Sequence, residues 1–139
     1  MPACSSTCLA GSPKKQRGVA AAELAICLPL IVLLVLASLE ACSMIFLNHG
    51  LAIASYESVR IAINYDGTNA DVISRYQEII DSRDIDGATI QLNPADCSQV
   101  PRGETIAVTV SAPCDSNALI PPWFFGGQTL FSTTTMVKE

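Results

Sequence analysis

Residues 24–39, LAICLPLIVLLVLASL, form an uncharged run that decides how the rest of the chain is organised. Only Pro29 and Ser38 interrupt its plainly apolar side chains. The chain has 139 residues, of which 50% are hydrophobic, and its mean hydropathy is +0.38. These values are too apolar for an ordinary soluble domain of this length, so a soluble cytosolic enzyme is excluded as the default interpretation.

The apolar character extends beyond the run on both sides, from residue 19 to residue 47. A helix over this range would be about 43 Å long, more than the ~30 Å hydrocarbon core of a bilayer requires. Lys14, Lys15 and Arg17 precede it, and basic residues favour the cytoplasmic side of a membrane. We therefore predict one transmembrane helix at 19–47, with a cytoplasmic N-terminus and the remaining chain outside.

The rest of the chain is acidic. From Val19 onward there are 5 basic and 13 acidic residues, a net charge of −8. Such a surface repels nucleic acid, so we expect no nucleic-acid partner. The single histidine, His49, stands in no recognisable triad order, and the cysteines lack the close spacing of metal or haem ligands. The sequence therefore predicts no catalytic residue, no metal and no cofactor.

Helical periodicity continues past the membrane segment, which predicts a helix extension at 48–64 with a bend favoured at Gly50. A small outer domain is expected at 65–139. In it, Thr68 or Asn69 can cap a second helix with a single apolar face. The residues expected on that face are Val72, Ile73, Tyr76, Ile79 and Ile80.

Three segments with alternating or β-branched residues follow the second helix and predict strands. The first two alternate around Ile90 and Val108, and the third is the segment LFSTTTMV at 130–137. The order helix, helix, strand, strand, strand predicts an α+β fold with a three-stranded antiparallel sheet resting on a helix.

Two of the six cysteines, Cys97 and Cys114, lie in the part predicted to face an oxidising compartment. They enclose a loop of 18 residues, counted inclusively. A disulfide between them would stabilise the small domain by about 3 kcal/mol. We predict this disulfide, with two free thiols as the alternative.

Glu23 is the most informative residue, because a charged side chain in hydrocarbon costs about 2.5–3.5 kcal/mol or more. Either Glu23 snorkels to the head-group boundary, or a partner compensates its charge. The string KKQRGVAAAE at 14–23 places basic residues first, then glycine, then small or apolar residues, and then this glutamate.

That string resembles the processing site of type IV prepilins, and the chain is similar to the TadE/TadG-like pseudopilins of tight-adherence (Flp) pili. The similarity includes Pro29 within the apolar helix, Glu40 as a second acid at its end, and the C-terminal LFSTTTMVKE. In that family a membrane-embedded prepilin peptidase cuts after the glycine. The resemblance therefore implies a cleaved cytoplasmic leader at 1–18 and a scissile bond between Gly18 and Val19.

The resemblance also implies a bacterial inner-membrane protein that is a peptidase substrate, not an enzyme, and that acts in pilus biogenesis or adhesion. Its implied partners are other pilin or pseudopilin subunits, the inner-membrane assembly platform and the lipid bilayer. Cleavage would place a new α-amino group on Val19 about one turn from Glu23. In a bundle of parallel helices, Glu23 can pair with the amine of a neighbouring subunit and set the register. Pro29 is expected to kink the helix, and Glu40 to lie at the outer interface as a candidate second interfacial acid.

Two other classes of function are open at this point. The chain is either an uncleaved bitopic scaffold or adaptor of a surface apparatus, or a secreted enzyme released by signal peptidase near residue 40. One further feature, the segment WFFGG at 123–127, concentrates the only tryptophan and two of the four phenylalanines. It either folds over the small core or exposes an apolar contact for a partner subunit.

Overall fold

The computed structural model describes residues 14–139, with side chains from residue 18 onward, so most of the predicted leader lies outside the described residues. The elements follow in the order helix α1 (Lys14–Ala62), helix α2 (Asn69–Ser82), strand β1 (Thr89–Asn93), strand β2 (Thr105–Pro113), short helix α3 (Cys114–Asn117) and strand β3 (Thr129–Val137). The predicted α+β class, with a long apolar first helix and a three-stranded antiparallel sheet, is confirmed.

Helix α1 continues through both Pro29 and Gly50. Residues 14–18, the end of the predicted leader, belong to this helix. Gly50 is buried, and the side chain of Ile85 approaches the helix closely at this position. A Cβ at this position would lie 2.6 Å from Cδ1 of Ile85, so the absence of a side chain lets Ile85 pack directly against the helix backbone.

The chain divides into two compact units, Met1–Leu36 and Ala37–Glu139. The second, which we call the outer unit, begins well before residue 65, where the sequence placed the start of the small domain. The reason is that α1 supplies much of its core: Met44, Leu47 and Leu51 are all buried. The outer unit therefore includes the end of the predicted membrane segment and the whole helix extension.

The core of the outer unit lies between α1, α2 and one face of the sheet. Strand β2 is central in the order β1-β2-β3, and its alternate residues Ile106, Val108 and Val110 are fully buried. On α1, small residues at 54, 58 and 62 repeat every four positions and are also fully buried. Because residues four apart share one helix face, this spacing leaves room for close packing against that face.

Helix α2 confirms the predicted cap and most of the predicted face. The hydroxyl of Thr68 accepts a hydrogen bond from the backbone N–H of Asp71, whose carboxylate accepts one from the Thr68 backbone N–H, forming a capping box. Four of the five predicted face residues are buried, namely Val72, Tyr76, Ile79 and Ile80. Ile73 is exposed, because it lies about 100° around the helix from Val72.

Candidate functional site

The predicted processing segment lies in the first unit, on α1. Gly18 is helical, and apart from its own stretch of helix backbone no atom of the described residues lies within 4 Å of the position its Cβ would occupy. Val19 and Glu23 are both exposed and, being four residues apart, share one helix face. Glu23 forms no ion pair with any side chain that the structure describes.

From residue 24 to residue 36, the surface of α1 is apolar on every side. Large apolar side chains from residue 24 to residue 36 are exposed around the whole helix, including Leu24, Ile26, Leu30 and Val35. A helix that is hydrophobic all round needs an apolar environment on all sides. Within residues 14–139, α1 is the one helix long and apolar enough to cross a membrane, as the sequence predicted.

In the outer unit, Glu40 makes a contact that the sequence analysis did not foresee. Its side chain is only 2% exposed, and its Oε1 accepts hydrogen bonds of 2.8 Å from the backbone N–H groups of both Phe124 and Phe125. Glu40 had been expected at the outer interface as a second acid for pairing between subunits. In the structure the carboxylate is buried and bound within its own chain, and its position at the outer interface and its pairing between subunits stay predictions.

The segment bound by Glu40 is residues 118–128, which we call the aromatic loop. A second carboxylate holds its other end: Asp115 accepts a hydrogen bond from the backbone N–H of Gly127, with distances of 3.0 and 3.1 Å to its two oxygens. Gly127 has a φ of +72°, a conformation that favours glycine. The backbone of the aromatic loop is therefore held at two points, by the buried carboxylate of Glu40 and by the exposed carboxylate of Asp115.

Three large apolar side chains of the aromatic loop are exposed, whereas Ile120 and Phe125 are half-buried. Trp123 is 80% exposed, Leu119 is 77% exposed and Phe124 is 60% exposed. Of the two interpretations of WFFGG, the structure favours an exposed apolar surface over a loop folded across the core. Leu119 also lines, together with Phe46 of α1, an open groove of about 620 Å³.

The predicted disulfide between Cys97 and Cys114 is not formed, and both thiols are free and buried. Cys97 lies near the start of β2, where its carbonyl accepts a hydrogen bond from Nζ of the buried Lys138. Cys114 directly follows the end of β2. The nine residues of that strand extend over about 26 Å, whereas a disulfide requires Cα atoms within about 7 Å. Burial raises the pKa of each thiol, which keeps both in the unreactive protonated form.

The predicted site residues do not form one cluster in the described chain. Gly18, Val19, Glu23 and Pro29 lie along α1 in the first unit, and Glu40 lies in the outer unit. The functional feature that sequence reasoning missed is the contact between Glu40 and the aromatic loop, which are 84 residues apart. The sequence does contain both partners, an isolated acid at the end of an apolar run and an uncharged loop rich in aromatic residues. No spacing rule predicts that the two are in contact.

Together these observations define a chain whose N-terminal helix can cross a membrane and which carries a small α+β unit beyond it. Residues 18–60 match the model of the TadE-like protein family, so the resemblance stated from the sequence is confirmed over this segment. No curated protein and no solved structure matches the chain.

Proposed function

We propose that the chain is a minor pseudopilin of a tight-adherence (Flp) pilus or of a related secretion assembly. In this proposal α1 anchors the precursor in the bacterial inner membrane, a prepilin peptidase cuts between Gly18 and Val19, and the processed helix joins other pilin or pseudopilin subunits. The observation that carries the proposal is Glu23. It is an acid in an otherwise apolar helix, with no partner among the described side chains.

Processing would supply the missing partner. The α-amino group released on Val19 would carry a positive charge one helical turn from Glu23, and in a bundle of parallel copies the two charges could pair between neighbours. Such a pair is strongest where water is excluded, and an unpaired Glu23 would penalise a wrong register. The family match begins at residue 18, the glycine that would precede the mature chain, which supports this boundary.

The experiment is a mass measurement of the mature N-terminus in cells that contain an active prepilin peptidase. We expect the chain to begin at Val19, and Gly18→Ala to leave the leader attached. Glu23→Ala should be processed normally but should fail to enter the assembly, with Glu23→Asp as the conservative control. An intact leader in the presence of active peptidase would overturn the processing step.

A second candidate function is an uncleaved, membrane-anchored scaffold or adaptor of a surface apparatus. The observation that favours it is the start of α1 at Lys14, which places the Gly18–Val19 bond inside a helix. A protease requires an extended bond, so this part of the helix would have to unwind before cleavage. In this alternative Glu23→Ala would have no effect on assembly, which separates it from the pseudopilin proposal.

A further inference from the structure

The aromatic loop presents an apolar surface that the core of the outer unit does not use. Residues 118–128 contain no charged side chain, and three of their large apolar side chains are more than half exposed. Because Glu40 and Asp115 fix the loop backbone, these side chains stand on a rigid support. An exposed apolar patch on such a support is typical of an interaction surface, since little ordering entropy is lost on binding.

Three contacts along α1 locate the aromatic loop at one end of the outer unit. Glu40 binds the aromatic loop, and Oγ of Ser55 lies 2.8 Å from Oγ1 of Thr134 on β3. Just past the end of α1, the carbonyl of Ile63 accepts a hydrogen bond from the backbone N–H of Glu139. Strand β3 thus runs in the same direction as α1. The aromatic loop precedes β3 and contacts the helix about 22 Å before Ser55, one residue after the uncharged run ends.

The length of the apolar helix then sets the depth of the loop in a membrane. The 21 residues at 19–39 span about 31 Å as a helix, which matches the ~30 Å hydrocarbon core of a bilayer. If this helix crosses the membrane, Glu40 lies at the outer boundary of the hydrocarbon. Tryptophan is enriched at that depth because its ring has both an apolar body and a polar N–H group.

We propose that the aromatic loop is a membrane-interface anchor, in which Leu119, Trp123 and Phe124 insert among the lipid head groups of the outer leaflet. The inference rests on the proposed membrane anchoring by α1 and adds a second, peripheral contact with the same bilayer. Because the chain from Val19 onward carries a net charge of −8, the contact depends on apolar partition and not on attraction to anionic lipids.

The test uses Trp123, the only tryptophan of the chain, as the probe. The full-length protein is reconstituted in phosphatidylcholine vesicles whose acyl chains are brominated near the head group. We expect the brominated lipid to quench most of the Trp123 fluorescence, and acrylamide in the water to quench it weakly. Leu119→Ser and Phe124→Ser should each reduce quenching by the lipid and increase quenching by acrylamide.

The matched control moves the probe to Tyr65, an exposed side chain at the far end of the helix extension. In the double variant Trp123→Phe, Tyr65→Trp, acrylamide should quench the fluorescence and the brominated lipid should not. A second control, Phe131→Ser, removes an equally exposed aromatic side chain from β3 and should leave Trp123 quenching unchanged.

Flotation of the vesicles through a density gradient at high pH separates the two proposals. A chain that floats, but whose Trp123 is quenched by acrylamide and not by the lipid, overturns the loop anchor and leaves membrane anchoring by α1 intact. A chain that does not float overturns both. A third outcome is that the brominated lipid does not quench Trp123, while acrylamide quenches it less as the ratio of protein to lipid rises. This outcome would assign the surface to a second copy of the chain and would also overturn the loop anchor.

Discussion

At the scale of single residues, two serines on the buried face of α1 differ in how their hydroxyl groups are satisfied. Ser55 shares hydrogen bonds with Ser132 and Thr134 of β3, at 3.3 and 2.8 Å. Ser58 is fully buried as well, yet its hydroxyl has no hydrogen-bond partner within the described part of the chain. A buried polar group without a partner lowers stability, because its contacts with water are not replaced.

We therefore expect Ser58→Ala to stabilise the outer unit by about 1 kcal/mol, because it removes an unsatisfied hydroxyl and improves helix propensity. Ser55→Ala, the matched control, should destabilise it by a similar amount, because it leaves the β3 hydroxyls without their partner. Urea unfolding of the purified full chain in detergent measures both changes. Equal effects of the two substitutions would contradict the difference between the two sites.

Glu40 also acts within its own chain, because its carboxylate holds the backbone of the aromatic loop. We expect Glu40→Ala to release the backbone of the aromatic loop, because the N–H groups of Phe124 and Phe125 lose a buried acceptor. Amide hydrogen exchange at these two residues should accelerate relative to wild type, and the unfolding temperature should fall. Glu57→Ala is the comparison, since Glu57 makes only partly exposed ion pairs with arginines. Unchanged exchange at Phe124 and Phe125 would show that Glu40 does not hold the loop.

At the scale of elements, helix α2 is stabilised by its buried apolar face and by the capping box at its N-terminus. Thr68→Ala should destabilise the outer unit by about 1 kcal/mol, because the first turn of α2 loses its side-chain acceptor. Thr68→Ser retains the hydroxyl and should restore most of the stability, as measured by the midpoint of thermal unfolding. Equal losses for both variants would mean that the methyl group, not the cap, is responsible.

Strand β2 separates Cys97 from Cys114, so the two thiols cannot form a disulfide in the folded chain. We expect a reducing agent to leave the unfolding temperature unchanged, and alkylation of the unfolded, unreduced chain to modify both cysteines. A monomeric chain that resists alkylation of Cys97 and Cys114 until it is reduced would restore the disulfide that the sequence predicted. The variant Cys97→Ala, Cys114→Ala controls for labelling of the remaining cysteines.

At the scale of the whole molecule, α1 belongs to both compact units and supplies the core of the second. The core cluster draws on Leu47, Leu51, Ala54, Val59 and Ala62 from this helix, together with α2 and the sheet. A small domain has little core to spare, so the loss of one covering helix removes a large part of its buried apolar area.

We therefore expect a fragment of residues 37–139 to unfold cooperatively in urea. A fragment of residues 65–139, which follows the boundary suggested by the sequence, should show no cooperative transition and should aggregate, because its sheet and α2 would expose their apolar faces. Circular dichroism and light scattering measure these outcomes. A folded 65–139 fragment would mean that α1 is dispensable to the outer unit.

The sequence by itself determined the two long helices, the three strands and the fold class, but not the short helix α3. The uncharged run identified the long helix, and an apolar face that included Val72, Tyr76 and Ile80 identified α2. Alternation identified β1 and β2, and β-branched residues identified β3. Each of these patterns is local to its own element. The sequence also carried the resemblance that the match over residues 18–60 confirms.

Only the tertiary structure decided which distant residues meet. It placed Glu40 beneath the aromatic loop, separated Cys97 from Cys114 by the length of a strand, and moved the start of the outer unit to Ala37. These features depend on the packing of elements far apart in the chain, and no local period encodes that packing. A carboxylate at the end of an apolar helix satisfies the same local rules whether it faces lipid, a neighbouring subunit or its own loop.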